Sequence, residues 1–248
     1  MGSPSGTGGS AYGPDLAFIH DDGFRSFAEG VAPGITELLV SRSIESGTVV
    51  DLGCGTGILA RYLVDAGYDV VGVDISPAMI ELARRRVPQA RFHVASFRSF
   101  PVPKCKAVTA LGEVFAYQFD AATRSRSLQS LFRKVHASLS PGGLLLFDLP
   151  EVGLDTNRPP TWSEGDGWAC LVRFERDDDR EQLVRHIVSF RRDGTLYRRS
   201  EETHRVQLYR ASEVAGQLRA VGFRVRTSRR IGSFEMLPHR VAFVARKS

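Results

Sequence analysis

The segment Asp51-Leu52-Gly53-Cys54-Gly55-Thr56-Gly57 concentrates residues that let a backbone approach a ligand, because glycine has no Cβ to push a bound molecule away. Its spacing departs from the dinucleotide fingerprint G-x-G-x-x-G. The third glycine of that pattern would stand at position 58, where Ile58 is found, and Gly57 comes one residue earlier. The spacing favours a ligand without a pyrophosphate. Val71-Gly72-Val73-Asp74 then places a carboxylate 23 residues after Asp51, where it can accept hydrogen bonds from both hydroxyls of a ribose. Each feature has a plainer use. Glycine-rich turns also serve as simple connections, and Asp74 could cap a helix, although Ser76 before Pro77 is the better cap candidate.

Leu111-Gly112-Glu113-Val114-Phe115-Ala116-Tyr117 forms a third group. Glu113 has the chemistry of a general base, and the alternative is a charge favoured by a helix start. Phe115 and Tyr117 suit either a binding surface or the core. Tyr12, His20, Asp148 and His204 are further polar candidates, and a lone histidine is more often structural than catalytic.

These residues must be held by regular elements. Helical spacing of Phe18, Phe24, Phe27, Ile35, Leu38 and Leu39 predicts two short helices between Asp15 and Ser46, separated at Pro33-Gly34. An alternation of strand and helix follows: strand 48–52, helix 56–66, strand 69–73 and helix 76–86, with further strands at 91–95, 107–111 and 144–149. A helix over 123–139 should stop at Pro141-Gly142-Gly143. Such alternation predicts a doubly wound, mostly parallel α/β sheet. Between Trp162 and Tyr209 the period changes to two around turns at Asp177-Asp178-Asp179 and Asp193-Gly194, predicting an antiparallel insert of about three strands. A helix over 211–221 and a final strand pair at 223–229 and 240–245 complete a seven-stranded sheet with an antiparallel last strand. Residues 1–10 read as a flexible leader, 11–46 as a helical lid and 163–207 as the β insert.

Composition sets the bounds. A 248-residue chain with 42% hydrophobic and 25% charged residues can bury one large core. Cys54, Cys105 and Cys170 have the spacing of neither a disulfide framework nor a zinc site, so a reducing, cytoplasmic setting is expected and no metal. No apolar stretch reaches the roughly 20 residues of a bilayer span, and no membrane partner is expected. The net charge of +5 arises entirely after residue 150, since residues 1–150 carry 14 basic and 14 acidic side chains. That distribution does not make nucleic acid an expected partner.

In DLGCGTG, in VDISPAMIELAR and in LSPGGLLLFDL, the chain resembles the class I, Rossmann-like S-adenosylmethionine-dependent methyltransferases over roughly residues 48–150. The resemblance implies that Asp51, Gly53, Cys54 and Gly55 surround the methionine part of S-adenosylmethionine, and that Asp74 holds its ribose. It also implies contacts from Tyr12, Ile75, Met79, Leu111 and Gly112. An acidic residue that often binds the adenine amine in that family is replaced here by Ser96, which leaves adenine to Ser96, Phe97 or the backbone. More weakly, the insert resembles that of small-molecule methyltransferases, including those acting on sugar amines. It places Trp168, Leu171 and Arg173 near a small-molecule acceptor, while dimerisation, giving a homodimer, is the other use of such strands. The stretch after the fourth strand, where the family lines its reaction centre, adds Phe115 and Tyr117 as acceptor candidates, and Asp148 is a further one. Glu113 and His20 are the catalytic candidates. Methylation of a protein or RNA, or cofactor binding without turnover, are the competing readings.

Overall fold

The computed structural model of the protein describes residues 11–119, 127–153 and 159–248. The expected leader 1–10 and the start of the helix expected over 123–139 lie outside them. The chain opens with α1 (Pro14–Gly23) and α2 (Ser26–Val40). The helices part at Phe24-Arg25 rather than at Pro33-Gly34, which sit inside α2. Gly34 is needed there for a tertiary reason: a Cβ on it would stand 2.5 Å from the Ile231 carbonyl oxygen of a hairpin packed on the helix.

The alternation then runs β1 (Gly47–Leu52), α3 (Ile58–Asp65), β2 (Tyr68–Asp74), α4 (Pro77–Arg86), β3 (Arg91–Val94) and β4 (Cys105–Ala110). A 3-10 turn (Val114–Ala116), α5 (Gln129–Ser138) and β5 (Leu139–Pro150) follow. Pro141-Gly142-Gly143 does not separate helix from strand; it lies within β5, as a register shift between the Cys105–Leu139 and Ala107–Leu144 pairs. Beyond the insert come α6 (Ala211–Val221), β10 (Phe223–Ser228), a two-residue hairpin of β11 (Arg230–Ile231) and β12 (Phe234–Glu235), and β13 (Arg240–Lys247). Sequence periodicity did not foresee that hairpin.

The seven-stranded sheet has the order β10-β13-β5-β4-β1-β2-β3. Only β13 runs against its neighbours, as expected for the last strand. Helices cover both faces, which is why β1, β2, β4 and β5 read as nearly continuous apolar runs. Phe132 of α5 and Leu218 of α6 pack on one face of the sheet. Ile35 and Leu39 of α2, Leu63 of α3 and Ile80 of α4 pack on the other.

The insert has four antiparallel strands rather than three: β6 (Thr161–Gly165), β7 (Trp168–Asp177), β8 (Gln182–Asp193) and β9 (Leu196–Gln207). It packs against α1 through Leu16, Ile19, Trp168, Cys170 and Ile187. Among the described residues no helix is long and apolar enough to cross a membrane.

Candidate active site

At the carboxyl end of β1 the chain turns sharply, with Gly53, Gly55 and Gly57 all at positive φ (70°, 52° and 77°). The amides of Gly53 and Cys54 both donate to the Val73 carbonyl (2.6 and 3.0 Å), tying the turn to the end of β2. Asp74 closes the other side: one carboxylate oxygen takes the Gly55 amide at 3.0 Å and the other the Ser76 amide at 2.9 Å. Ser76 caps α4 by accepting the Met79 amide (3.1 Å), so Asp74 is not spent as a cap. Burial raises the Asp74 carboxyl, against the amides of Ser76, Gly55 and Ile75. Burial pushes Asp51 up to about 7, opposed by the hydrogen bond from the Thr109 hydroxyl (2.6 Å).

Asp51, Gly53, Cys54, Gly55, Asp74 and Met79 border one cavity of about 790 Å³ at the carboxyl ends of the parallel strands. A Cβ at Gly55 or Gly112 would meet nothing within 4 Å, so both glycines present bare backbone to open space. That cradle, flanked by Asp51 and Asp74, suits a nucleoside bearing a cationic amino-acid chain. The far wall comes from the N-terminal segment and the insert. Tyr12 and His20 line it together with Arg185, His204, Cys170, Val172 and Ile187, and with Tyr117 and Phe119 from the loop after β4. The Tyr12 and Tyr117 hydroxyls share a hydrogen bond of 3.0 Å, and Arg185 donates to Tyr117 at 3.1 Å. Burial pushes the His20 imidazole down to about 4.

All twelve residues expected around the cofactor line this cavity: Tyr12, Asp51, Gly53, Cys54, Gly55, Asp74, Ile75, Met79, Ser96, Phe97, Leu111 and Gly112. The catalytic and acceptor candidates divide. His20 and Tyr117 line it, but Glu113 does not. Glu113 lies beneath the wall with its carboxylate between Arg185 (2.8 Å) and Arg240 (3.0 Å). Burial would raise this carboxyl, but the charges of Arg185 and Arg240 and their hydrogen bonds override it and hold Glu113 at about 2. A carboxylate so held is a poor proton acceptor near neutral pH.

Phe115 is a core residue, in ring contact with Phe97 and Phe147. Asp148 is fully buried and accepts the Gly112 amide at 2.6 Å, which shapes the cradle from behind. Trp168 packs under α1, with its indole N–H donating to Asp22 at 2.7 Å. Arg173 and Leu171 point away to solvent. Their strand was read in the wrong parity: Cys170, Val172 and Phe174 face inward, and apolar residues on both sides of β7 hid which face was buried. Arg185 and Arg240 were missed altogether. Nothing local marks a buried guanidinium among 33 basic residues.

A parallel sheet in this strand order, with a glycine-rich turn after its first strand and an acid ending its second, defines a Rossmann-like methyltransferase. The family model for the methyltransferase domain matches residues 24–228, and the chain belongs to that family. The chain is 24% identical over 210 residues to a dTDP-3-amino-3,4,6-trideoxy-α-D-glucopyranose N,N-dimethyltransferase of Streptomyces venezuelae, covering 78% of this chain and 82% of that one. Among solved structures it resembles an S-adenosylmethionine-dependent methyltransferase from Clostridium acetobutylicum (TM-score 0.79, 19% identity, 94% and 98% of the chains). It also resembles the sugar N-methyltransferase KedS8 from Streptoalloteichus (TM-score 0.77, 24% identity, 99% of each chain).

Proposed function

We propose that the protein methylates a nitrogen of a small, sugar-like molecule, with a hydroxyl oxygen as the alternative acceptor atom. One observation carries the reading: the glycine cradle and the inner face of the insert border the same cavity, so donor and acceptor can meet in a space screened from water. S-adenosylmethionine, when bound, supplies a methyl group already activated by its sulfonium charge. The chain's own work is then to hold and orient. Asp74 would accept the ribose hydroxyls, while Gly53, Gly55, Leu111 and Gly112 would pass backbone along the methionine chain beside Asp51. Ile75, Met79, Ser96 and Phe97 would border the adenine. Tyr12, His20 and Tyr117 would border the acceptor. Glu113 would act as a positioning residue that fixes Arg185 and Arg240, both of which line the cavity.

The amine reading is supported by the name of the Streptomyces relative and by Glu113 being unavailable as a base for a hydroxyl. An RNA or protein acceptor would need a path to the methyl group past α1 and the insert, which wall the cavity.

Calorimetry with S-adenosylmethionine and S-adenosylhomocysteine tests the cofactor site, and tight binding of NAD in their place would overturn it. Transfer of labelled methyl to dTDP-3-amino-3,4,6-trideoxy-α-D-glucopyranose, to its 3-hydroxy counterpart and to tRNA tests the acceptor class. Labelling of tRNA alone would overturn the small-molecule reading.

A further inference from the structure

Away from the glycine cradle, the cavity wall is largely carbon. Phe24 and Phe27 where α1 meets α2, Val172 and Phe174 of β7, and Phe234 and Leu237 of the C-terminal hairpin region all line it. None of them is sealed in the core. Phe24 and Leu237 are 39% and 50% exposed, which places them at the rim, and the other four are half-buried. Phe27 and Phe234 meet edge to face, with ring centroids 5.6 Å apart. Pockets for one drug-sized ligand begin at about 300 Å³. A cavity of about 790 Å³ therefore has room for a second molecule beside a nucleoside.

The positive charges on the wall are already matched. Among the described residues, Arg185 and Arg240 are the only arginine or lysine side chains that line the cavity. Arg185 donates to Glu113 at 2.8 Å and to Tyr117 at 3.1 Å. Arg240 is shared between Glu113 (3.0 Å) and Asp148 (3.3 Å), and its guanidinium lies 4.9 Å from the centre of the Phe27 ring. Glu113 is held at about 2 by the two arginines, and burial pushes Asp148 up only to about 6, so at neutral pH two carboxylates face two guanidiniums. His20, pushed down to about 4 by burial, adds no positive charge. Glu235 also lines the cavity, exposed and without an ion pair among the described residues. A diphosphate placed here would exchange its hydration for carbon and meet no uncompensated cation, which is strongly unfavourable.

We infer that the acceptor is an amino sugar joined to a hydrophobic aglycone, not one joined to a nucleotide diphosphate. The inference rests on the methyl-transfer reading above and narrows its acceptor. The aglycone packs on the six apolar side chains, which leaves the amine to reach toward the cradle. Glu235 repels phosphate at the mouth and favours the approach of a cationic molecule. Phe24 and Leu237 are thereby specificity-determining positions, because they touch the part of the acceptor that does not react.

The test uses the full chain loaded with S-adenosylhomocysteine. Its probes are the octyl and methyl glycosides of 3-amino-3-deoxy-D-glucose, which share the amine and differ only in the aglycone, and dTDP. Calorimetry is expected to show the octyl glycoside binding about tenfold tighter or more, because each methylene buried on the wall favours the bound state. Excess dTDP should not displace it. Leu237→Ser, at an exposed site where folding is not at stake, should narrow the octyl-to-methyl ratio about threefold or more. Equal affinity for the two glycosides, displacement by dTDP, or binding of neither glycoside overturns the inference. Methyl transfer then separates it from the reading beneath it. With S-adenosylmethionine, kcat/KM for the octyl glycoside should exceed that for dTDP-3-amino-3,4,6-trideoxy-α-D-glucopyranose by about tenfold or more. Preference for the dTDP sugar overturns the inference and leaves methyl transfer in place. Octyl glycoside bound without transfer to any of these amines overturns methyl transfer to a sugar amine and takes the acceptor role with it.

Discussion

Arg185 donates from Nη2 to the Glu113 carboxylate at 2.8 Å, joining the insert to the end of β4 through a pair whose side chains are 18% and 4% exposed. Arg240 meets the same carboxylate from β13, so a single acid ties together three parts of the chain. Removing one member of a buried pair leaves the others uncompensated and typically costs 3–5 kcal/mol. Glu113→Gln should therefore lower stability by about that amount, measured by denaturant unfolding. Its loss of activity should appear mainly as weaker acceptor binding. The pH dependence has a definite sign. Glu113 falls from its ordinary 4.5 to about 2 on folding, so its contribution is present above pH 4.5 and disappears as pH falls through 2. The gap between wild type and variant should narrow over that window.

Asp74→Asn should weaken S-adenosylmethionine and S-adenosylhomocysteine alike, by about 2 kcal/mol, because hydrogen bonds to a charged group are worth roughly 1.5–3 kcal/mol each. The amide keeps one acceptor for Gly55 or Ser76, so the turn should persist. Calorimetry measures both ligands. Unchanged affinity would remove Asp74 from the ribose site.

Asp51 points the opposite way for stability. Its carboxyl rises from 3.8 to about 7 on burial. The unfolded chain thus releases this proton first, and folding stability drains away between pH 3.8 and 7 and stays low above. Asp51→Asn removes the buried charge and can still accept from Thr109. The ligand-free variant should gain roughly 1–4 kcal/mol at pH 8, while S-adenosylmethionine should stabilise it less than it stabilises the wild type. Thermal unfolding with and without the ligand reads both effects.

The contrast between these sites explains what the sequence could reveal. Gly53, Gly55 and Asp74 act through backbone freedom and a carboxylate at a strand end, both written into local order, and every residue expected at the cofactor lines the cavity. The insert's existence and its turns were equally legible from the change of period. Which face of β7 looks inward was not, because Leu171 and Val172 are both apolar and only packing against α1 chooses between them. Glu113 misled for the same reason: its spacing fits a catalytic group, but two arginines 72 and 127 residues away decide its charge state. Pro33 likewise signals a break locally, while the hairpin packed on Gly34 accompanies an unbroken helix.

That hairpin gives a packing prediction. Gly34→Ala would set its new methyl 2.5 Å from the Ile231 carbonyl oxygen and 2.9 Å from the Gly232 amide nitrogen, backbone atoms that cannot rotate away. Overpacking of this kind costs typically 1–3 kcal/mol. Since Phe234 and Glu235 of the hairpin line the cavity, acceptor affinity should fall together with the melting temperature. A variant as stable as the wild type would show that the hairpin yields without cost.

The N-terminal helix is fastened to the insert at its first turn, and this should govern how fast the cofactor product leaves. Asp15 receives Nε and Nη2 of Arg198, both at 2.7 Å, and Arg191 approaches at 3.5 Å. Glu202 holds the Tyr12 and Gly13 amides beside it, and the Ser76 hydroxyl donates to the Tyr12 carbonyl at 2.7 Å. The same segment is thereby linked to the insert on one side and to the turn after Asp74 on the other, with Tyr12 and His20 on the cavity wall. Escape of a ligand from the cradle on this side requires these contacts to part. Arg198 is half exposed, so its bond to Asp15 is screened by solvent and weak. Asp15→Asn should accordingly raise the dissociation rate of S-adenosylhomocysteine about fivefold, with little change in kcat at saturating acceptor unless product release limits it. Salt supplies an internal control, because screening weakens the wild-type clasp and has less left to weaken in the variant. Stopped-flow displacement at low and high ionic strength measures both. Equal rates for the two proteins at low salt would show that the ligand leaves by a route that does not involve the N-terminal helix.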